Sequence, residues 1–66
     1  MRITLNGEPT DLPGPLTIQT LLDRLSIDGR LVAVELNRTV VKRAQYATTT
    51  IGEEGEVEIV SFVGGG

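Results

Sequence analysis

Apolar and polar residues alternate from the first position: Met1, Ile3 and Leu5 fall on one side and Arg2, Thr4 and Asn6 on the other, the period of two of a strand with one buried face. Asn6-Gly7 follows at once, the pair that favours a type I′ turn and hence a two-residue hairpin. Residues 8–12 are the predicted returning strand; Pro9 has no N–H to give a neighbour, which assigns that strand to a sheet edge. Leu12-Pro13-Gly14-Pro15 breaks the pairing, and the period then changes to about 3.6. Ile18, Leu21, Leu22 and Leu25 recur at i, i+3, i+4 and i+7, predicting an amphipathic helix of about two and a half turns. Thr17 is its expected N-cap, with Leu16 and Leu21 at the spacing of a hydrophobic staple. Asp28-Gly29-Arg30 is expected to end it. So short a helix is marginal alone, so its apolar stripe must lie on a sheet.

Residues 31–36 predict a further strand, with Val32, Val34 and Leu36 on one face and Ala33 and Glu35 on the other. Asn37-Arg38 leads into a short partner strand, Thr39-Val40-Val41. Residues 42–47 lack the periodicity of a helix and suit one helical or 3₁₀ turn, with Tyr46 as a packing residue at the core rim and its hydroxyl in water. Residues 48–51 suit a brief strand, Gly52-Glu53-Glu54-Gly55 a polar turn, and residues 56–63 the most apolar strand, expected at the centre of the sheet. One helix crossing a mixed sheet of four to five strands, with the two terminal strands side by side in the middle, is an α+β domain of the β-grasp (ubiquitin-like) type. Its expected extent is residues 1–63, leaving Gly64, Gly65 and Gly66 as a flexible tail.

Composition narrows the chemistry. Sixty-six residues suit a single domain near the lower size limit for unaided folding. The chain has no Cys, His or Trp, hence no thiol nucleophile, no imidazole and no soft metal ligand; no metal site is expected and independent catalysis is disfavoured. Six basic against nine acidic residues give a net charge of −3, a poor match to nucleic acid or an anionic membrane. No apolar run approaches the roughly 20 residues of a membrane span, and no signal-peptide pattern opens the chain; the cytosol is the expected compartment. The three final glycines offer a carbonyl open from both faces and a backbone thin enough to enter another protein's active site. Glycine runs also serve as linkers or arise as expression scars. These follow directly on a strand, without the serines or protease-site residues such scars carry.

The Val32-Ala33-Val34-Glu35-Leu36-Asn37 strand and the ending Val57-Glu58-Ile59-Val60-Ser61-Phe62-Val63-Gly64-Gly65-Gly66 resemble the ubiquitin-like, ThiS-type sulfur carriers of thiamine biosynthesis, over essentially the whole chain. The resemblance implies that the Gly66 carboxylate is adenylated by an E1-like activating enzyme using ATP. A sulfur donor protein then converts it to a thiocarboxylate, and thiazole synthase takes the sulfur; the carrier holds no cofactor of its own. Gly64 and Gly65 would thread the channels of both enzymes. Arg38 departs from the pattern, since such carriers often have glycine after the asparagine. Related readings are the small subunit of molybdopterin synthase, which is usually longer and ends on a different sequence before its glycines, a ubiquitin-like modifier, and a binding module that works through its surface.

A second constellation lies on the last strand. If Val57 and Ile59 face the helix, Glu58, Val60 and Phe62 face away. With Val63 next to the glycines, these are the candidate partner-binding residues for the activating enzyme and the synthase. The competing expectation is that Phe62 folds over the sheet edge as ordinary packing. The acidic group Glu53, Glu54, Glu56 and Glu58 suits either steering toward a basic channel mouth or a plainly solvated turn and strand edge.

Overall fold

The computed structural model describes residues 1–62. The elements in chain order are β1 (Arg2–Leu5), β2 (Glu8–Asp11), β3 (Leu16–Thr17), α1 (Ile18–Arg24), β4 (Val32–Leu36), β5 (Thr39–Val41), β6 (Thr50–Ile51) and β7 (Glu56–Ser61), with single 3₁₀ turns at Gly29–Leu31 and Arg43–Gln45. Five strands form one mixed sheet in the order β2-β1-β7-β4-β5. β7 runs parallel to β1 and antiparallel to β4, so the first and last strands of the sheet meet in its middle, as a β-grasp requires. β2 with its Pro9 is an edge strand. Among the described residues no helix is long and apolar enough to cross a membrane.

Both hairpins of the sheet close through two residues with positive φ, Asn6 (49°) and Gly7 (83°) in one, Asn37 (52°) and Arg38 (69°) in the other. The second is therefore also a type I′ turn, with an arginine in the left-handed conformation that a Cβ disfavours. Arg38 Nε lies 3.4 Å from Glu56 Oε1, a long contact on a side chain 87% exposed, so little compensates the backbone strain.

Thr17 caps α1 as expected, its side chain accepting the Thr20 N–H at 3.1 Å. Two more amides of the first turn, which a helix leaves without internal acceptors, are taken up by a feature that the pattern of apolar positions did not reveal. β3 pairs with β6 as a separate two-stranded ribbon. Beyond it, Ile18 N–H donates to Thr49 O at 3.0 Å and Gln19 N–H to Tyr46 O at 3.0 Å. The helix ends earlier than Asp28-Gly29-Arg30. Ser26 adopts φ 58°, its N–H donates to Asp23 O (3.1 Å), and Ile27 N–H donates to Leu22 O (2.9 Å), the paired bonds of a Schellman ending with serine in the position glycine usually takes. Leu25, the fourth residue of the stripe, is consequently exposed.

Ile3, Ile18, Leu21, Leu22, Val34, Ile51 and Val57 are fully buried between the helix and one face of the sheet. Tyr46 lies in this core at 2% exposure rather than at its rim. Room for its ring comes from Gly29, where a Cβ would stand 3.3 Å from Tyr46 Cε2. Asp28 shapes the turn that carries Gly29: its carboxylate accepts the Arg30 backbone N–H at 2.9 Å and the guanidinium at 2.7 Å. The Arg30 side-chain hydrogen bonds, followed by the backbone one, lower the Asp28 pKa from 3.8 to about 2.

Two expectations follow. Arg38→Gly removes a strained left-handed residue and a weak, exposed ion pair, so it should raise unfolding free energy by about 0.5–1 kcal/mol in denaturant melts; a loss of stability would show that the contact with Glu56 outweighs the strain. Because the folded pKa of Asp28 is depressed, its contribution is complete above about 3.8 and fades as pH falls toward about 2. A carboxyl NMR titration should place its midpoint near the lower value, and Arg30→Gln should move that midpoint upward.

Candidate functional site

The site is built from the end of β7. Pairing with β4 runs from Leu36↔Val57 to Val32↔Ser61, and Phe62 N–H extends it by donating to Leu31 O at 2.8 Å. Leu31 belongs to the turn held by Asp28, so that carboxylate indirectly fixes where the chain leaves the sheet. On the other side the backbone ladder with β1 covers only Thr4↔Glu56 and Leu5↔Val57. Asn6 then takes over with its side chain: Oδ1 accepts the Ile59 N–H at 2.7 Å, while its own N–H donates to Val57 O at 2.8 Å. Asn37 does the same at the strand's start, Oδ1 accepting the Glu56 N–H at 2.9 Å and N–H donating to Glu56 O at 2.7 Å. Asn6-Gly7, expected to be a turn and nothing more, therefore also anchors the central strand. An Asn at the first turn position is the sequence signal; its long-range partner is invisible without the parallel pairing of β1 and β7.

Side chains alternate along β7 as period two requires. Val57 is buried and Ile59 packs against the core on the helix side. Glu58, Val60 and Phe62 share the face without a helix, and Phe62 is 67% exposed rather than folded over the sheet edge. Strand register brings further residues to this face that single-strand patterns could not assign. Glu35 stands directly opposite Glu58 and Ala33 opposite Val60, while Val40 is opposite Glu35 on the far side of β4. Val40 and Val60 are 66% and 60% exposed. The outcome is an apolar strip ending at Phe62, with two carboxylates at its start.

The acidic group does not gather at this end. Glu53 and Glu54 sit in the turn before β7, where the Glu53 carboxylate accepts the Arg2 backbone N–H at 2.8 Å and Glu56 contacts Arg38. Six extended residues separate Glu56 from Phe62, about 20 Å. Glu53, Glu54 and Glu56 thus serve the turn and the strand's beginning, and only Glu58 lies within the exposed strip. Cations are nearer the exit: Arg30 and Arg43, with Phe62, Val40 and Ala33, line an open depression of about 290 Å³. A second depression, of about 360 Å³, opens on the helix side beneath Leu25, Ile27, Leu31 and Ile59. Among the described residues no three His, Cys, Asp or Glu side chains gather to hold a metal ion. Val63, Gly64, Gly65 and Gly66 lie outside the described residues.

The described part of the site is a rigid strand bearing an exposed apolar strip, and among the described side chains no acid, base and nucleophile converge. The ThiS family model matches residues 3–66, a span that takes in the three glycines. The chain is 36% identical over 50 residues to the sulfur carrier protein ThiS of Bacillus subtilis, covering 76% of each. It is also 38% identical over 66 residues to a thiazole synthase of Paramagnetospirillum magneticum, where it spans 100% of its own length but 20% of that protein's. The crystal structure of the thiamine biosynthesis protein ThiS from Geobacter metallireducens superimposes with a TM-score of 0.87 at 36% identity, over 100% of both chains. With a match from Ile3 to Gly66 and a relative aligned end to end in three dimensions, the chain belongs to the ThiS family of sulfur carrier proteins.

Proposed function

We propose that this protein carries sulfur for thiazole formation in thiamine biosynthesis, with residues 1–63 as the body and Gly64, Gly65 and Gly66 as the working tail. What carries the reading is the family match that continues through Gly66, together with a central strand, β7, whose last residue Ser61 comes three positions before Gly64 in sequence.

A carboxylate resists nucleophilic attack because the incoming pair must add charge to a group already charged, so activation comes first. The Gly66 carboxylate oxygen attacks the α-phosphorus of ATP in an E1-like adenylating enzyme, pyrophosphate leaves, and an acyl-adenylate forms. Sulfide-level sulfur delivered by a donor protein attacks the acyl carbon, the C–O bond to AMP breaks with its electron pair leaving on AMP, and loss of the S–H proton leaves a thiocarboxylate. Thiazole synthase consumes the sulfur and the carboxylate returns. The protein itself contributes no catalytic group and binds no cofactor; ATP belongs to the activating enzyme, and the cytoplasm is the proposed site of action. Gly64 and Gly65 keep the tail narrow where a Cβ would meet channel walls. Val60, Phe62, Val63 and Glu58 serve as the docking surface beside it.

Incubation with the adenylating enzyme, ATP and a sulfur source should add about 16 mass units at Gly66, one oxygen replaced by sulfur. A chain lacking Gly66 should show no gain; an unchanged mass for the full chain would refute the carrier role. Gly65→Ala should slow adenylation by about 10- to 100-fold with the melting curve intact, and adenylation at the normal rate would remove the threading argument. Phe62→Ala should weaken binding to the activating enzyme by about 1–2 kcal/mol while shifting Tm by less than about 4 °C. The reverse pattern would mean that Phe62 is a packing residue.

A further inference from the structure

Glu35 and Glu58 are directly opposite one another on the antiparallel strands β4 and β7. Both are half-buried, and neither forms an ion pair among the described residues. Like charges placed opposite in a sheet are destabilising, and nothing within the fold uses this pair. Val40 stands in the same row as this pair, across β4; toward the tail the face is apolar, with Val60 and Phe62 exposed, and then cationic. Arg30 is neutralised by Asp28, whereas Arg43 makes no salt bridge among the described residues and lines the depression shared by Val40 and Phe62. From Glu58 to Phe62 is four residues of strand, about 13 Å. The face thus reads negative, apolar, positive along the direction in which the chain exits.

We propose that this order is a docking code for thiazole synthase, resting on the carrier function proposed above. The synthase supplies a basic side chain, best a guanidinium able to span two carboxylates, between Glu35 and Glu58. It supplies an apolar surface over Val40, Val60 and Phe62, and a carboxylate to Arg43. Two opposite charges separated along one axis permit one orientation and penalise its reverse, so the tail points into the synthase rather than along its surface. Thiazole synthase is the occupant because the Paramagnetospirillum magneticum protein of that name matches this entire chain within 20% of its length. A stretch similar to this chain and a much larger remainder there share one polypeptide, which tethers the two at high effective concentration.

The test measures Kd and Tm together, using the full chain and the purified thiazole synthase of the same organism. Glu35→Gln with Glu58→Gln should raise Tm, by relieving the repulsion, yet weaken binding about tenfold. Arg43→Glu should weaken binding by about as much without lowering Tm, and both losses should shrink at high salt. A control carrying Glu8→Gln and Glu54→Gln, exposed carboxylates away from this face, should bind like the natural chain. Equal affinity for all variants would overturn the docking code while leaving the carrier function intact. Equal weakening by the control would reduce the effect to net charge and overturn it too. Self-association of the chain through this face without synthase binding, or loss of affinity for the adenylating enzyme alone, would also overturn it. No thiocarboxylate formation on the natural chain would remove the carrier reading itself.

Discussion

Everything in this molecule depends on the hydrogen bonding of one strand on both of its sides. β7 sits between a parallel and an antiparallel neighbour, and the parallel side is short. Parallel pairing closes without a hairpin between the partners, so nothing local sets its register. Here the register is set from outside the ladder by Asn6 and Asn37, each closing its own hairpin while offering Oδ1 to an amide of β7. One residue type does two jobs because both need it. Asparagine tolerates the left-handed backbone of a type I′ turn, and its side-chain carbonyl imitates the peptide acceptor that the next strand residue would have offered.

That constraint explains how so small a chain keeps its sheet in order. The core is a single layer of aliphatic side chains with Tyr46 at one end, and the helix above it has only seven residues. Its amides are satisfied partly by Thr17 and partly by the backbone around the β3/β6 ribbon, so the helix is held at its start rather than along its length. At its other end a serine in a glycine conformation turns the chain toward Asp28 and the Gly29–Leu31 turn, which receives the Phe62 amide. The two ends of the crossover thus meet the sheet at defined points, one beside Ile51 and one beside the exit of β7.

Much of this was legible before any coordinates. The Asn6-Gly7 hairpin, the edge position implied by Pro9, the Thr17 cap, the 3₁₀ turn near residue 44 and the central place of the last strand all follow from local rules. Local stereochemistry decides such features, and neighbours only confirm them. A brief strand was expected within residues 48–51, where β6 lies; its pairing with β3 was hidden because Leu16-Thr17 is too short to show a period, and Leu16 already had an explanation as half of a staple. Tyr46 looked like a rim residue because its ring packs closely against Gly29, 17 positions away in sequence, a contact that no local pattern announces. In the candidate site, alternation along β7 was enough to expose Val60 and Phe62 on one face. Glu35 and Val40 needed the register between three strands, and the acidic residues looked close to the tail only because extended chain makes sequence neighbours distant.

The parallel contact between β1 and β7 has a mechanical consequence. A force applied beyond Phe62, along the strand axis, loads the bonds to β1 and β4 sideways and all at once, in shear, instead of opening them one after another from an edge. Edge strands peel; a bracketed central strand must slide against both neighbours together. A pull on the chain beyond Phe62 is therefore resisted by both neighbours together, and the described domain stays folded under a load that would peel an edge strand.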